Sequence, residues 1–328
     1  MSAAPLLAAE GLSVAFDTPR GRVHALEDVS LAVARGETVG LVGESGSGKS
    51  TLALTLLRAL TPSGGSIRFD GQEIGQLSSR ALKPVRRRLQ MVFQDPYASL
   101  DPRMTVARIV AEPLRAHRFG TRSEIAVRVA ELLAAVGLPE EAAQRYPAEF
   151  SGGQRQRIAI ARAIALEPEM VVADEPVSAL DVSIQAQIVN LLQDIQTRMG
   201  IAYLVIAHDL PLVHQIADRI VVLYLGRVVE EGPAEAVVAR PLHPYTAGLL
   251  AATPTVDTAG RPRLRLGGDP PSPIDRPSGC AFHPRCPIAR DRCRSERPAL
   301  TARDGGRRVA CHFPGEVPPP LALRPDPV

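Results

Sequence analysis

One stretch constrains this chain more than any other: Gly43-Glu44-Ser45-Gly46-Ser47-Gly48-Lys49-Ser50-Thr51. It fits G-x-x-x-x-G-K-[ST] and lies between an apolar run, Thr38 to Val42, and a helical pattern from Thr51 to Leu60. Strand, glycine loop and helix in that order are the context in which this pattern cradles a polyphosphate. Gly43, Gly46 and Gly48 let the backbone turn its N–H groups inward, and the following helix aims its positive dipole end at the same anion. Lys49 would reach the β- and γ-phosphates, and the Ser50 hydroxyl would bind Mg²⁺. Lys49 and Lys83 are the only lysines in a chain that otherwise uses Arg. At Lys49 a compact ammonium suits the cradle better than a guanidinium fork.

The chain has 328 residues, enough for one large domain or two smaller ones. A formal charge of +3 is too mild to argue for nucleic acid. No apolar run approaches the roughly 18 residues that span a bilayer. Met1 to Glu10 lacks the basic flank and cleavage site of a signal peptide. The expectation is a cytosolic protein whose membrane role, if any, runs through a partner. All four cysteines fall between Cys280 and Cys311, which suggests one local site rather than a disulfide framework.

In chain order, Leu6 to Phe16 and Val23 to Val33 read as antiparallel strands across the Gly21 turn. Phe16 could stack on a nucleotide base or serve as a core aromatic. Ser66 to Phe69, closed by Asp70-Gly71, is another strand and turn. Leu77 to Arg88 reads as a helix whose Arg86-Arg87-Arg88 end is a solvated face or a binding patch. Leu89 to Phe93 is a buried-strand candidate that delivers Gln94. Thr105 to Glu149 is helical, with breaks expected near Pro113, Phe119 to Thr121 and Gly137 to Pro139, an insertion between parts of a parallel sheet. Helix Gln154–Leu166, strand Met170–Ala173, helix Val182–Arg198, strand Ala202–Ile206, helix Leu210–Ile216 and strand Arg219–Leu223 continue the alternation, which implies α/β with helices on both faces. Pro254 to Pro277 reads as a linker or extended arm, and Pro314 to Val328 as disordered.

Four further elements could carry chemistry. Asp174 and Glu175 end an apolar strand, where an aspartate can hold the Mg²⁺ shell and a glutamate can activate water for attack on a γ-phosphate. Gln94 could sense the metal or the water, and His208 could contact the γ-phosphate; taken alone, a strand-terminal Gln or His is more often structural. Ser151-Gly152-Gly153-Gln154 is a second glycine turn at a helix start, either a capped helix or a second anion site. One chain has no evident need for two triphosphate cradles, and a dimer in which each chain's second cradle closes over its partner's nucleotide is the economical solution.

This ordered set resembles the ATP-binding subunits of ABC transporters over roughly residues 6 to 250. In those terms Walker A is Gly43 to Thr51, the Q-loop is Gln94 and the signature is Ser151 to Gln156. Walker B is Met170 to Asp174 with Glu175, the D-loop is Ser178-Ala179-Leu180-Asp181 and the switch is His208. Phe150 stands where the family commonly has Leu. Val92 to Pro102 and Leu242-His243-Pro244-Tyr245-Thr246 are similar to the oligopeptide/dipeptide importer branch, nearer its second ATPase. The resemblance implies a P-loop NTPase fold with a mostly parallel core, an antiparallel β subdomain and a helical subdomain at about 95–165, within a cassette spanning 1–253. It implies ATP and Mg²⁺ as cofactors, with Ser50, Gln94 and Asp174 on the metal and Ser151 to Gln154 on a partner's ATP. It further implies a heterodimer on two permease subunits at the cytoplasmic face of the membrane, fed by an extracytoplasmic peptide-binding protein. Residues 94–113 would contact a permease. A nickel or glutathione importer shares this cassette type. A soluble ABC ATPase would predict fused cassettes or a coiled-coil insertion, and neither is present.

Residues 254–328 form the expected extension. Its cysteines, Cys280, Cys286, Cys293 and Cys311, are separated by five, six and seventeen residues. Four thiolates suit a [4Fe–4S] cluster or tetrahedral zinc, with His283 and His312 as spare ligands, and the spacing does not choose between them or free thiols. The importer branch resembles this tail, and some relatives hold a [4Fe–4S] cluster there.

Overall fold

A computed structural model describes residues 4–178, 180–252 and 267–316. The chain opens with strands β1 (Leu7–Thr18), β2 (Gly21–Val33) and β3 (Thr38–Val42), then helix α1 (Lys49–Leu56). Next come β4 (Gly64–Phe69), β5 (Gln72–Glu73), α2 (Lys83–Arg88), β6 (Leu89–Val92) and the short α3 (Pro96–Ser99). Helices α4 (Val106–Ala116), α5 (Arg122–Ala135) and α6 (Gly152–Ile164) follow, then β7 (Met170–Asp174), α7 (Val182–Met199) and β8 (Ala202–Ala207). The rest is α8 (Leu210–His214), β9 (Arg219–Tyr224), β10 (Arg227–Pro233), α9 (Ala234–Ala239), α10 (Pro244–Ala252), α11 (Asp291–Ser295), β11 (Thr301–Arg303) and β12 (Arg307–Val309). Two compact units share these elements. One takes the residues up to Leu7, Val33–Glu37 and Phe69–Ile206; the other takes Ala8–Ala32, Thr38–Arg68 and the described residues from Ala207 on.

In the first unit β6, β7 and β8 lie side by side and parallel, with Val92 opposite Ala173 and Asp174 opposite Ile206. Every residue of β7 and β8 is buried, as parallel strands covered on both faces require. Helix α4 packs on α5 and α6, and α6 packs on β6. A ring of alternating charges lies at the surface: Arg35 and Arg88 each pair with both Asp70 and Glu169.

In the second unit β2, β1 and β4 form one layer. The other layer runs β11-β12-β10-β9-β3. Within it β3 pairs parallel with β9, while β9–β10, β10–β12 and β11–β12 are antiparallel. The strands between Cys293 and Cys311 thus extend the sheet that carries the phosphate loop. Its core joins Val42, Leu210 and Val222 to Tyr245, Leu249 and Phe282, with Cys280 and Cys286 packed against it.

Several sequence expectations change. The helix after the loop stops at Leu56 rather than Leu60, because Arg58 turns left-handed (φ 55) and Ala59 N–H folds back to Leu54 O at 2.9 Å. The helix expected over Leu77–Arg88 is only Lys83–Arg88: Pro84 sits in its first turn, where its missing N–H costs nothing. Pro113 does not break α4, which runs through it. Strand β10, helices α9 and α10 and the two short carboxyl-terminal strands add to the alternation read from the sequence. The linker and tail readings fall largely on 253–266 and 317–328, outside the described residues.

Candidate functional site

The phosphate loop is built in the second unit. Strand β3 is buried throughout and ends at Val42. Gly43 then passes so close to Leu223 O that a Cβ would sit 2.3 Å away. Gly48, at φ 106, would bring a Cβ within 2.7 Å of Ala25 O. A side chain fits at neither position. Ser47 Oγ is buried and makes no hydrogen bond among the described residues, as suits a hydroxyl facing an anion cradle. Lys49 is also buried, and its Nζ donates to Gly43 O at 2.7 Å and Glu44 O at 3.0 Å. Phosphate oxygens would compete with those carbonyls for the ammonium. Ser50 is exposed at the first turn of α1, Phe16 on β1 is 39% exposed, and His208 is exposed just beyond β8.

The first unit holds the other predicted residues. Asp174 is buried at the end of β7. Glu175 follows at φ 45, a left-handed conformation that costs a non-glycine residue about 1–3 kcal/mol and that clusters at functional sites. Its N–H is fixed to Ile206 O at 2.8 Å. The Gln94 side-chain amide donates to Glu175 Oε2 at 2.9 Å, so the structure brings these two together. Beyond Gln94, Asp95 caps α3 through Tyr97 N–H at 2.7 Å. Tyr97 is largely exposed with the Arg155 guanidinium 3.9 Å above its ring.

The second glycine turn is a complete capping box. Ser151 Oγ accepts from Gln154 N–H at 3.3 Å and Gln154 Oε1 accepts from Ser151 N–H at 3.0 Å. Helix α6 therefore starts at Gly152, two residues earlier than its apolar stripe indicates. Arg155 locks the preceding chain by donating to Pro147 O at 2.6 Å. Phe150 is buried with Arg145 stacked 4.5 Å over it, so the departure from Leu keeps its packing. The D-loop reading includes Ala179, which lies outside the described residues.

Cys280, Cys286, Cys293 and Cys311 converge on one void of about 10 Å³, which His243, Phe282 and His283 also line. Burial pushes the Cys286 thiol up to about 11 and the Cys311 thiol up to about 12. Four soft donors suit a thiolate-bound centre in their chemistry. Among the described residues, however, no group of three or more His, Cys, Asp or Glu is placed to hold a metal ion. The void has room for about one water-sized atom.

Two family models match: ABC transporter over residues 26–178, and the carboxyl-terminal region of oligopeptide/dipeptide transporters over residues 229–293. The chain is 53% identical to the probable peptide ABC transporter ATP-binding protein y4tS of Sinorhizobium fredii, over 90% of this chain and 84% of that one. It is 49% identical to the putative oligopeptide transport ATP-binding protein YkfD of Bacillus subtilis, over 94% and 95%. It belongs to the ATP-binding subunits of ABC transporters, in the oligopeptide/dipeptide family. This ABC subunit is an ATPase with the P-loop α/β fold. Among solved structures, the dimeric post-hydrolysis state of the cassette MJ0796 bound to ADP and Pi matches at TM-score 0.64 and 31% identity, over 70% of this chain and 98% of that one. The cassette cbiO1 from Clostridium perfringens matches at TM-score 0.64 and 30% identity, over 71% and 90%.

Sequence reasoning gave no role to Tyr245 or Arg285, which both touch Glu44 of the ABC subunit's phosphate loop. The sequence marked their places but not their partner. Tyr245 lies in the Leu242–Thr246 motif, and Arg285 lies between two cysteines.

Proposed function

We propose that this subunit energises the import of oligopeptides or dipeptides from the cytoplasmic face of the cell membrane, paired with a second ATPase on two permease subunits fed by an extracytoplasmic peptide-binding protein. One observation carries the reading: relatives at about half identity across nearly the whole chain are named for peptide transport or peptide import, and the carboxyl-terminal match is to oligopeptide/dipeptide transporters. Among the described residues no helix is long and apolar enough to cross a membrane, which agrees with attachment through permeases. The exposed Phe93 and Tyr97 around Gln94 offer a surface for that contact.

In this reading Phe16 stacks on the base, Gly43 to Thr51 wrap the phosphates, and Lys49 neutralises the β- and γ-phosphates. Ser50, Gln94 and Asp174 would hold Mg²⁺, which when bound would supply charge neutralisation for phosphoryl transfer. Glu175 takes the proton of the attacking water and His208 contacts the γ-phosphate. Ser151 to Gln154 reach the ATP of the partner subunit, and closure and reopening of the pair drive the permeases. The chain acts as a cassette, 1–253, followed by its extension, 254–328. An isolated monomer should then bind ATP and hydrolyse it poorly; strong turnover by a demonstrably monomeric preparation would overturn the shared site. For the cargo, radiolabelled peptides should accumulate in vesicles bearing the assembled transporter, and uptake of nickel or glutathione instead would reassign it. The convergence of four thiols supports a thiolate-bound centre, iron–sulfur or zinc, that assembles by opening the void. Iron, sulfide and zinc analysis of anaerobically purified protein tests this, and absence of all three would rule it out.

A further inference from the structure

We infer that Tyr245 and Arg285 are positioning residues for ATP, holding the phosphate loop at Glu44 from the carboxyl-terminal part of the chain. Glu44 is the second residue of that loop, and its side chain, N–H and carbonyl are each engaged. Its carboxylate accepts two hydrogen bonds from the Arg285 guanidinium, at 2.7 and 2.9 Å. Its N–H donates to Tyr245 Oη at 2.7 Å. Its carbonyl accepts from Lys49 Nζ at 3.0 Å, beside the 2.7 Å bond from Lys49 to Gly43 O. One residue therefore connects the carboxyl-terminal segment to the ammonium that meets the phosphates.

Both holding residues are themselves fixed. The Arg285 side chain is only 5% exposed, and its Nε donates to Gly267 O at 3.0 Å. It ends a single turn, His283–Arg285, that closes against the apolar core through Phe282. A surface ion pair would be worth little, but this one is two-pronged and largely buried, the geometry in which Arg acts as a rigid fork. Tyr245 is fully buried, with the Tyr224 ring 4.6 Å and the Phe282 ring 5.5 Å from its own.

The residues before Tyr245 explain why it points where it does. Buried Glu230 accepts the N–H groups of Leu242 and His243 at 2.8 and 2.9 Å and pairs with Arg307 at 2.5 Å. His243 Nδ1 then accepts the Tyr245 N–H at 3.0 Å. The Leu-His-Pro-Tyr run is thus the mount of a tyrosine that anchors a loop 201 residues earlier. The cysteine segment supplies the second anchor.

The inference rests on the loop being an ATP cradle. The test titrates a fluorescent ATP analogue with Mg²⁺ into the full-length chain and its Arg285→Ala, Arg285→Lys, Glu44→Gln and Arg285→Ala/Glu44→Gln variants, beside their unfolding midpoints without nucleotide. Arg285→Ala should weaken binding about tenfold, in the usual range for coupled sites. Arg285→Lys should recover part of the loss, and the double variant should bind no worse than the worse single one. Unfolding midpoints that drop while the folded protein keeps wild-type affinity would overturn the proposal, as would fully additive losses in the double variant. A wild-type chain that bound no analogue would sink the ATP reading together with this one, and it is told apart because the variants would then show nothing to lose.

Discussion

Two glycine turns at helix starts are the nucleotide contacts proposed for this protein, and they are stabilised at opposite ranges. At Ser151 the fixing partner is Gln154, three residues on, and the box would form in almost any context that allowed the helix. At Glu44 the fixing partners are Tyr245 and Arg285, 201 and 241 residues away. The signature turn is a local object. The phosphate loop has its glycine geometry from local sequence, yet its entry is clamped by residues that the chain supplies only after the cassette's alternation is complete. The difference identifies what the carboxyl-terminal segment adds: a second support for the loop proposed to bind the triphosphate.

Changes in the two units should separate these supports. The largest effect belongs to Glu175→Gln, which leaves both turns intact and removes the proposed base. ATP turnover by the assembled transporter should fall about 10²- to 10⁴-fold, measured as phosphate release. Next is Glu230→Ala. It strands buried Arg307 and frees the mount of Tyr245, and such broken buried pairs cost about 3–5 kcal/mol, readable by denaturant unfolding. Ser151→Ala removes only a cap, worth about 1 kcal/mol, and should raise amide exchange in the first turn of α6 and nowhere near residues 43–51.

A further effect is one of pH. Burial pushes the His243 pKa down to about 3, from 6.5. The unfolded chain then takes up the proton first, so this group's share of stability is whole above pH 6.5 and is lost as pH falls from 6.5 toward 3. Glu27, held down to about 2 by its hydrogen bond to Arg227 against the opposing cost of burial, acts in a lower window, between 4.5 and 2. The wild-type unfolding midpoint should fall between about pH 7 and pH 5 by more than that of His243→Gln, which has no proton to gain at that site.

How much was legible follows the same division. The parallel strands β6, β7 and β8 of one unit, β3 and β9 of the other, and the residues at their ends could be read because apolar runs and glycine turns are local signals. A cap at Ser151 could be read as one of two alternatives, but not its reciprocal bond with Gln154. Helix starts slipped where capping or proline placement, not the apolar stripe, decides them, as at Gly152 and Lys83. Pro113 misled because tertiary packing carried α4 through it. The clamp on Glu44 was invisible, since nothing in one stretch of sequence says that an arginine between two cysteines meets a carboxylate 241 residues earlier. The cysteines could be recognised as one site from their clustering, but their spacing could not reveal how tightly the thiols close on each other.

The contrast between the two turns is tested most directly by hydrogen–deuterium exchange on the full-length Arg285→Ala variant without nucleotide. Faster exchange across residues 43–51, with residues 152–156 unchanged from wild type, is the predicted result. Exchange unchanged across the phosphate loop, or raised equally at both turns, would contradict the claim that the loop is held from afar while the signature turn holds itself.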